Sequence, residues 1–106
     1  MLRVYADNAA TTAMSPAAKA AMLPYFDEIY GNPSSPHSFG QAAAAALQEA
    51  RETVARCLGA KADEITFTSG GSEADNQAIL SAAAAGEKQG KRHMISTAFE
   101  HHAVLH

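Results

Sequence analysis

Cysteine is almost absent from this chain: Cys57 stands alone among 106 residues. That excludes an internal disulfide framework and a CxxC metal site. Charge is thin as well, at 18% of residues with a net of −3, and the pI is near 5.9. No basic excess is available for a nucleic-acid face or an acidic membrane surface, either of which needs clustered lysine and arginine. No apolar run approaches the roughly 20 residues of a membrane span. Met1 to Asp7 carries one basic side chain, and Asp7 falls where a signal peptide has its apolar stretch. The expectation is a soluble cytoplasmic protein with no nucleic-acid and no membrane partner. The Walker pattern, GxGxxG, HExxH and any internal repeat are all missing.

What is present is alanine, about a quarter of the chain, within a 47% hydrophobic composition. Such a composition is not that of a disordered tail. Alanine favours helix but adds little apolar area, so a core built here is broad and thin. Ser15-Pro16 opens a helix, with serine as N-cap and proline at the first helical position. Pro24 breaks or kinks it near Leu23. Gly31 to His37, with two prolines and a glycine, is a turn-rich loop. Ser38 to Gln41 fits a capping box for a helix that runs to about Leu58, with Gly59 in the left-handed C-terminal position. Cys57 lies on the apolar face of that helix, as a core thiol and not a nucleophile.

From residue 62 the pattern changes. Ile65 to Thr68 alternates apolar and β-branched side chains and predicts a strand at about 64–68, and His93 to Thr97 reads as a second strand, 93–97. Between them Ser72 to Ala85 predicts a helix closed by Gly86. Strand, glycine loop, helix, strand is a βαβ unit, which implies a parallel pair with a right-handed crossover. The predicted class is therefore α/β. Residues 1–14 form an arm and loop, and residues 15–106 begin a larger α/β domain that is incomplete, since two strands do not finish a parallel sheet.

Two places could carry chemistry. At Thr68 to Asn76 a strand ends, two glycines follow, and a helix starts with Ser72 as cap. Free N–H groups and the helix dipole favour an anion there. The same residues also read as an ordinary turn, with Asp75 completing a capping box on Ser72 and with Glu73 and Asp75 already supplying negative charge. The second place is the histidine cluster. His102 and His106 are four apart, as zinc ligands on one helix face are, but no acidic third ligand stands nearby. His101 follows the second strand as the glycine loop follows the first, so both could face one crevice beyond the strand ends. The polar loops Asp7–Thr12 and Gly31–His37 read as turn chemistry.

These segments, in this order, resemble the N-terminal part of a cysteine desulfurase of the NifS/IscS type, a class V, fold-type I family that uses pyridoxal 5′-phosphate. The matching pieces are Tyr5 to Thr12, Gly31 to Ser35 with His37 to Gly40, Glu64 to Asn76, and Glu100 to Leu105. The resemblance implies that Gly71 and Ser72 bind the cofactor phosphate through backbone N–H and hydroxyl. It implies that His101 stacks on the pyridine ring and helps move protons, with no role for His102. The loops at Asn8–Thr12 and Asn32–His37 are then expected near the substrate entrance or a dimer interface. Family members are several times longer. Their Schiff-base lysine, pyridine-pairing aspartate and persulfide cysteine lie beyond the matched motifs, and Lys19, Lys61, Lys88, Lys91 and Cys57 match none of them. The implied parent is a homodimeric enzyme that takes sulfur from L-cysteine, leaving alanine and an enzyme persulfide. Its sulfur would pass to an acceptor or scaffold protein for iron–sulfur cluster assembly or tRNA thiolation. The 106 residues alone are expected to be inactive. Another class V aminotransferase or lyase, or a non-catalytic truncated α/β module, remains the alternative.

Overall fold

The computed structural model describes residues 2–105. The chain divides into two compact units, Met1–Ile65 and Thr66–His106.

In the first unit, Leu2 to Asp7 takes no regular structure. The Asp7–Thr12 loop closes on itself: the Asp7 carbonyl accepts from the N–H of Ala10 and Thr11, and the Tyr5 and Thr11 hydroxyls share a hydrogen bond. Helix α1 (Pro16–Met22) starts as expected, with Ser15 Oγ accepting from the Ala18 N–H at 3.1 Å. Pro24 ends it at Leu23, and a single turn, α2 (Pro24–Asp27), follows. The break has the expected cause, since proline cannot donate to the ladder.

Helix α3 (Ser38–Leu58) has 21 residues. Its start corrects the sequence reading, because the cap is His37 and not Ser38. His37 Nδ1 accepts from the Gly40 N–H at 3.3 Å, and the Gln41 amide donates to the Pro36 carbonyl instead of closing a box on Ser38. Asn32 organises the loop before it: its side-chain oxygen accepts from Ser34 N–H and its carbonyl from Ser35 N–H, both at 2.9 Å. Gly40 is buried there because a Cβ would run into the Ser35 and Asn32 carbonyls. Gly59 ends α3 at φ 67°, the left-handed cap that glycine adopts most easily. Cys57 is exposed, contrary to its reading as a core thiol. Its neighbour Leu58 is 70% exposed as well.

The two expected strands are not formed. Among the described residues there is no strand, so the structure does not show the βαβ unit and its parallel pair there. Residues 62–64 make one 3-10 turn, in which the Lys61 N–H donates to the Glu64 carboxylate. Ile65 is extended at φ −97° and ψ 123°, but it joins no ladder. Residues 91–97 likewise lack regular structure, and Ile95 is 99% exposed. The physical reason lies in the element itself. Parallel strands are stable where neighbours pair on both edges and helices cover both faces. Met94 and Ile95 would gain such burial from paired neighbours, and among the described residues no strand partner forms.

In the second unit, helix α4 (Gly71–Lys88) is longer at both ends than the reading gave. It runs past Gly86, and the left-handed residue is Gly90 at φ 73°. Gly86 instead allows close passage of the chain: the Lys91 N–H donates to the Gly86 carbonyl at 2.9 Å, and the Lys91 carbonyl lies 3.2 Å from where a Cβ would stand. A short helix, α5 (His102–Leu105), packs on α4. No helix among the described residues is long and apolar enough to cross a membrane.

Candidate functional site

The turn before α4 is held by its own side chains. Thr68 Oγ1 donates to the Gly70 carbonyl at 3.0 Å. Glu73 Oε2 accepts from the Ser69 N–H at 2.7 Å and from the Ser69 hydroxyl at 2.5 Å. These two bonds lower the Glu73 pKa, the hydroxyl bond most and the backbone bond next. The reciprocal tie thus forms between Ser69 and Glu73. Ser72 does not cap the helix with Asp75, as one reading of the sequence had it. The cap is Gly70, in extended backbone with no side-chain cap bond, and Ser72 is already the second helical residue.

That shift changes what the turn can do. The N–H groups of the first helical residues have no intrahelical acceptor, and the dipole adds partial positive charge there. A Cβ at Gly70 or Gly71 would meet nothing within 4 Å, so the approach to these N–H groups is open. Ser72 is exposed, and its hydroxyl is not used up in capping. Two backbone donors and one hydroxyl on an open turn suit a small anion with several oxygens.

His101 sits at the start of α5. Its Nδ1 accepts from the Ala103 N–H at 3.1 Å, and its carbonyl accepts from the Val104 N–H at 2.9 Å. With Nδ1 an acceptor, the proton of the neutral ring is on Nε2. His101 and His102 rings meet edge-on, 6.0 Å apart. The preceding turn is fixed by Thr97 Oγ1, which donates to Glu100 Oε1 at 2.7 Å. The His102–His106 pair falls partly outside the described residues. Among those described, no three His, Cys, Asp or Glu side chains gather as metal ligands do.

One residue that the sequence reading left without a role joins the two places. Asn76 Nδ2 donates to the Ser72 carbonyl at 2.8 Å and to the Ala103 carbonyl at 3.1 Å. The available signal was an amide side chain one helical turn after Ser72, on the same face.

The family model of aminotransferase class V matches residues 4–106. The chain belongs to that family. It is 51% identical over 102 residues to the cysteine desulfurase IscS of Dictyoglomus turgidum, covering 96% of this chain and 26% of that protein. A cysteine desulfurase of Cereibacter sphaeroides is 53% identical over 106 residues, covering 99% of this chain and 27% of the relative. A solved NifS-like protein superposes with a TM-score of 0.88 at 42% identity, over 98% of this chain and 28% of that one. The chain thus spans about a quarter of the length of the curated relatives it matches. The backbone has the course of a NifS-like protein even though no strand ladder forms among the described residues.

Proposed function

We propose that this chain is the cofactor-phosphate-binding portion of a pyridoxal-phosphate-dependent cysteine desulfurase, opening the large domain of a fold-type I enzyme. The observation that carries the reading is the open first turn of α4, in a chain about half identical to proteins named cysteine desulfurases. The Gly71 and Ser72 N–H groups and the Ser72 hydroxyl would hold the phosphate of pyridoxal 5′-phosphate. The donor set fits a dianion: three donors, partial positive charge at the helix end, and no Cβ in the way. Glu73 lies on the same turn, with its Oε2 held by the two Ser69 donors.

His101 would present its ring to the cofactor and hold or move a proton at Nε2, the position left over once Nδ1 caps α5. The cofactor, when bound, supplies an electron sink for the substrate's reacting carbon. The remaining chemistry, a lysine for the cofactor and a cysteine that accepts sulfur, belongs to the rest of the protein. The complete protein would be a cytoplasmic homodimer. It would take sulfur from L-cysteine, release L-alanine, and pass the sulfur to an acceptor or scaffold for iron–sulfur cluster assembly or tRNA thiolation.

The test is product analysis. The complete protein, given pyridoxal phosphate and L-cysteine with a thiol reductant, should release alanine and sulfide in equal amounts. A keto acid in place of alanine would assign it to the aminotransferases of the family and overturn the desulfurase reading.

A further inference from the structure

Asn76 donates twice from one nitrogen. An amide nitrogen carries two hydrogens, so the bonds to the Ser72 and Ala103 carbonyls are both satisfied at once. The first bond is local, one turn back along α4. The second reaches a residue 27 positions on. That residue, Ala103, gives its own N–H to His101 Nδ1. The Asn76 amide therefore ties the Ser72 carbonyl to the backbone of Ala103, the same residue whose N–H, on the preceding peptide group, holds the His101 ring.

Helix α5 has four residues, too few to hold its place through its own ladder. A surface asparagine in mid-helix ordinarily bonds only its own backbone or water. Asn76 departs from that habit by ending its second bond outside the helix.

We infer that Asn76 is a positioning residue: its amide clamps the His101 segment to the first turn of α4 and so fixes the spacing between the phosphate-binding turn and the His101 ring. This rests on the roles of Ser72 and His101 proposed above. Loss of the amide leaves the donors of Gly71 and Ser72 in place, so it should disturb the ring's partner more than the phosphate.

The experiment uses the complete protein, both cofactor-free and loaded with pyridoxal phosphate. Asn76→Ala keeps α4, because alanine is the best helix former at an exposed helical position. In the cofactor-free protein, amide exchange at Val104 and Leu105 should speed up about 3- to 10-fold, the effect of one lost hydrogen bond. In the loaded protein, kcat should fall roughly tenfold at nearly constant KM for L-cysteine, and the visible circular dichroism of the bound cofactor should change. Asn76→Gln, which keeps the amide, should recover part of each effect. Asn76→Asp, of the same shape without the donor, should repeat them, and it serves if the alanine variant does not fold.

Unchanged exchange and unchanged dichroism in Asn76→Ala would overturn the clamp. Faster exchange with unaltered dichroism and kcat would make the bond merely structural and would overturn the positioning role. If His101→Ala keeps full turnover and Ser72→Ala keeps full cofactor affinity, the site reading fails by itself. The exchange measurement, made without cofactor, still reports the clamp.

Discussion

Glu73 holds Ser69: one carboxylate oxygen accepts both the N–H and the hydroxyl of that residue, at 2.7 and 2.5 Å. Both bonds favour the ionised form, so the folded pKa lies below the ordinary carboxylate value of 4.5. A depressed carboxylate pKa contributes stability above the unfolded value and loses it as pH falls through the folded one. The Ser69 turn should therefore stay closed at neutral pH and down to about pH 4.5, then open at lower pH. Carbon-detected NMR titration of the Glu73 carboxyl should give a midpoint below 4.5. A midpoint at or above that value would contradict the tie, and Glu73→Gln should abolish the transition.

Ser72→Ala removes the hydroxyl donor proposed for the dianionic cofactor phosphate. Hydrogen bonds to charged groups are worth roughly 1.5–3 kcal/mol, so affinity for pyridoxal phosphate should fall about 10- to 150-fold. The backbone donors remain, so binding should weaken without disappearing. Fluorescence titration of cofactor into the cofactor-free complete protein measures this, and unaltered affinity would remove Ser72 from the site.

His101→Ala should lower turnover by about 10²–10⁴-fold, the usual contribution of a proton-transfer group, while the cofactor stays bound. His102→Ala is the control and should leave turnover nearly unchanged. Steady-state rates of the two variants separate them. The opposite pattern would exchange the roles of these adjacent residues.

Much of the first unit can be read directly from residues whose rules are local. Ser15 caps, Pro24 breaks, and Gly59 turns left-handed as their covalent structure requires. The cap of α3 lies one residue before the serine that the motif points to. Serine is the commoner cap, but the Asn32 turn and buried Gly40 bring His37 Nδ1 onto the Gly40 N–H. The strand expectation failed for a non-local reason. A strand is made by its neighbours, and here Met94 and Ile95 are 62% and 99% exposed. At the candidate site, the glycine turn and His101 were legible as motifs. The Asn76 link was not, because a bond between residues 27 apart depends on how α5 packs on α4.

Gly40 tests the loop before α3. A Cβ there would collide with the Ser35 and Asn32 carbonyls, both backbone atoms that cannot swing aside. Gly40→Ala should destabilise the protein by about 1–3 kcal/mol, the usual cost of forcing atoms into a filled space. Chemical denaturation of the complete protein checks it, and a variant as stable as the parent would show that the loop yields freely.

The isolated 106-residue chain should associate. Ala55 is its one buried apolar side chain among the described residues, while Phe26, Leu58, Ile95 and Phe99 are 70% or more exposed. Apolar surface on that scale marks contact surfaces. Light scattering should give a mass above 11.1 kDa that rises with concentration. A compact monomer at high concentration would contradict this.

The most direct measurement is a crystal structure of the complete protein with pyridoxal 5′-phosphate bound. Phosphate oxygens should lie about 2.7–3.2 Å from the Gly71 and Ser72 nitrogens and from Ser72 Oγ. The His101 ring should face the cofactor ring, with Asn76 still joined to the Ser72 and Ala103 carbonyls. A phosphate seated elsewhere, or a His101 ring turned away from the cofactor, would contradict the account.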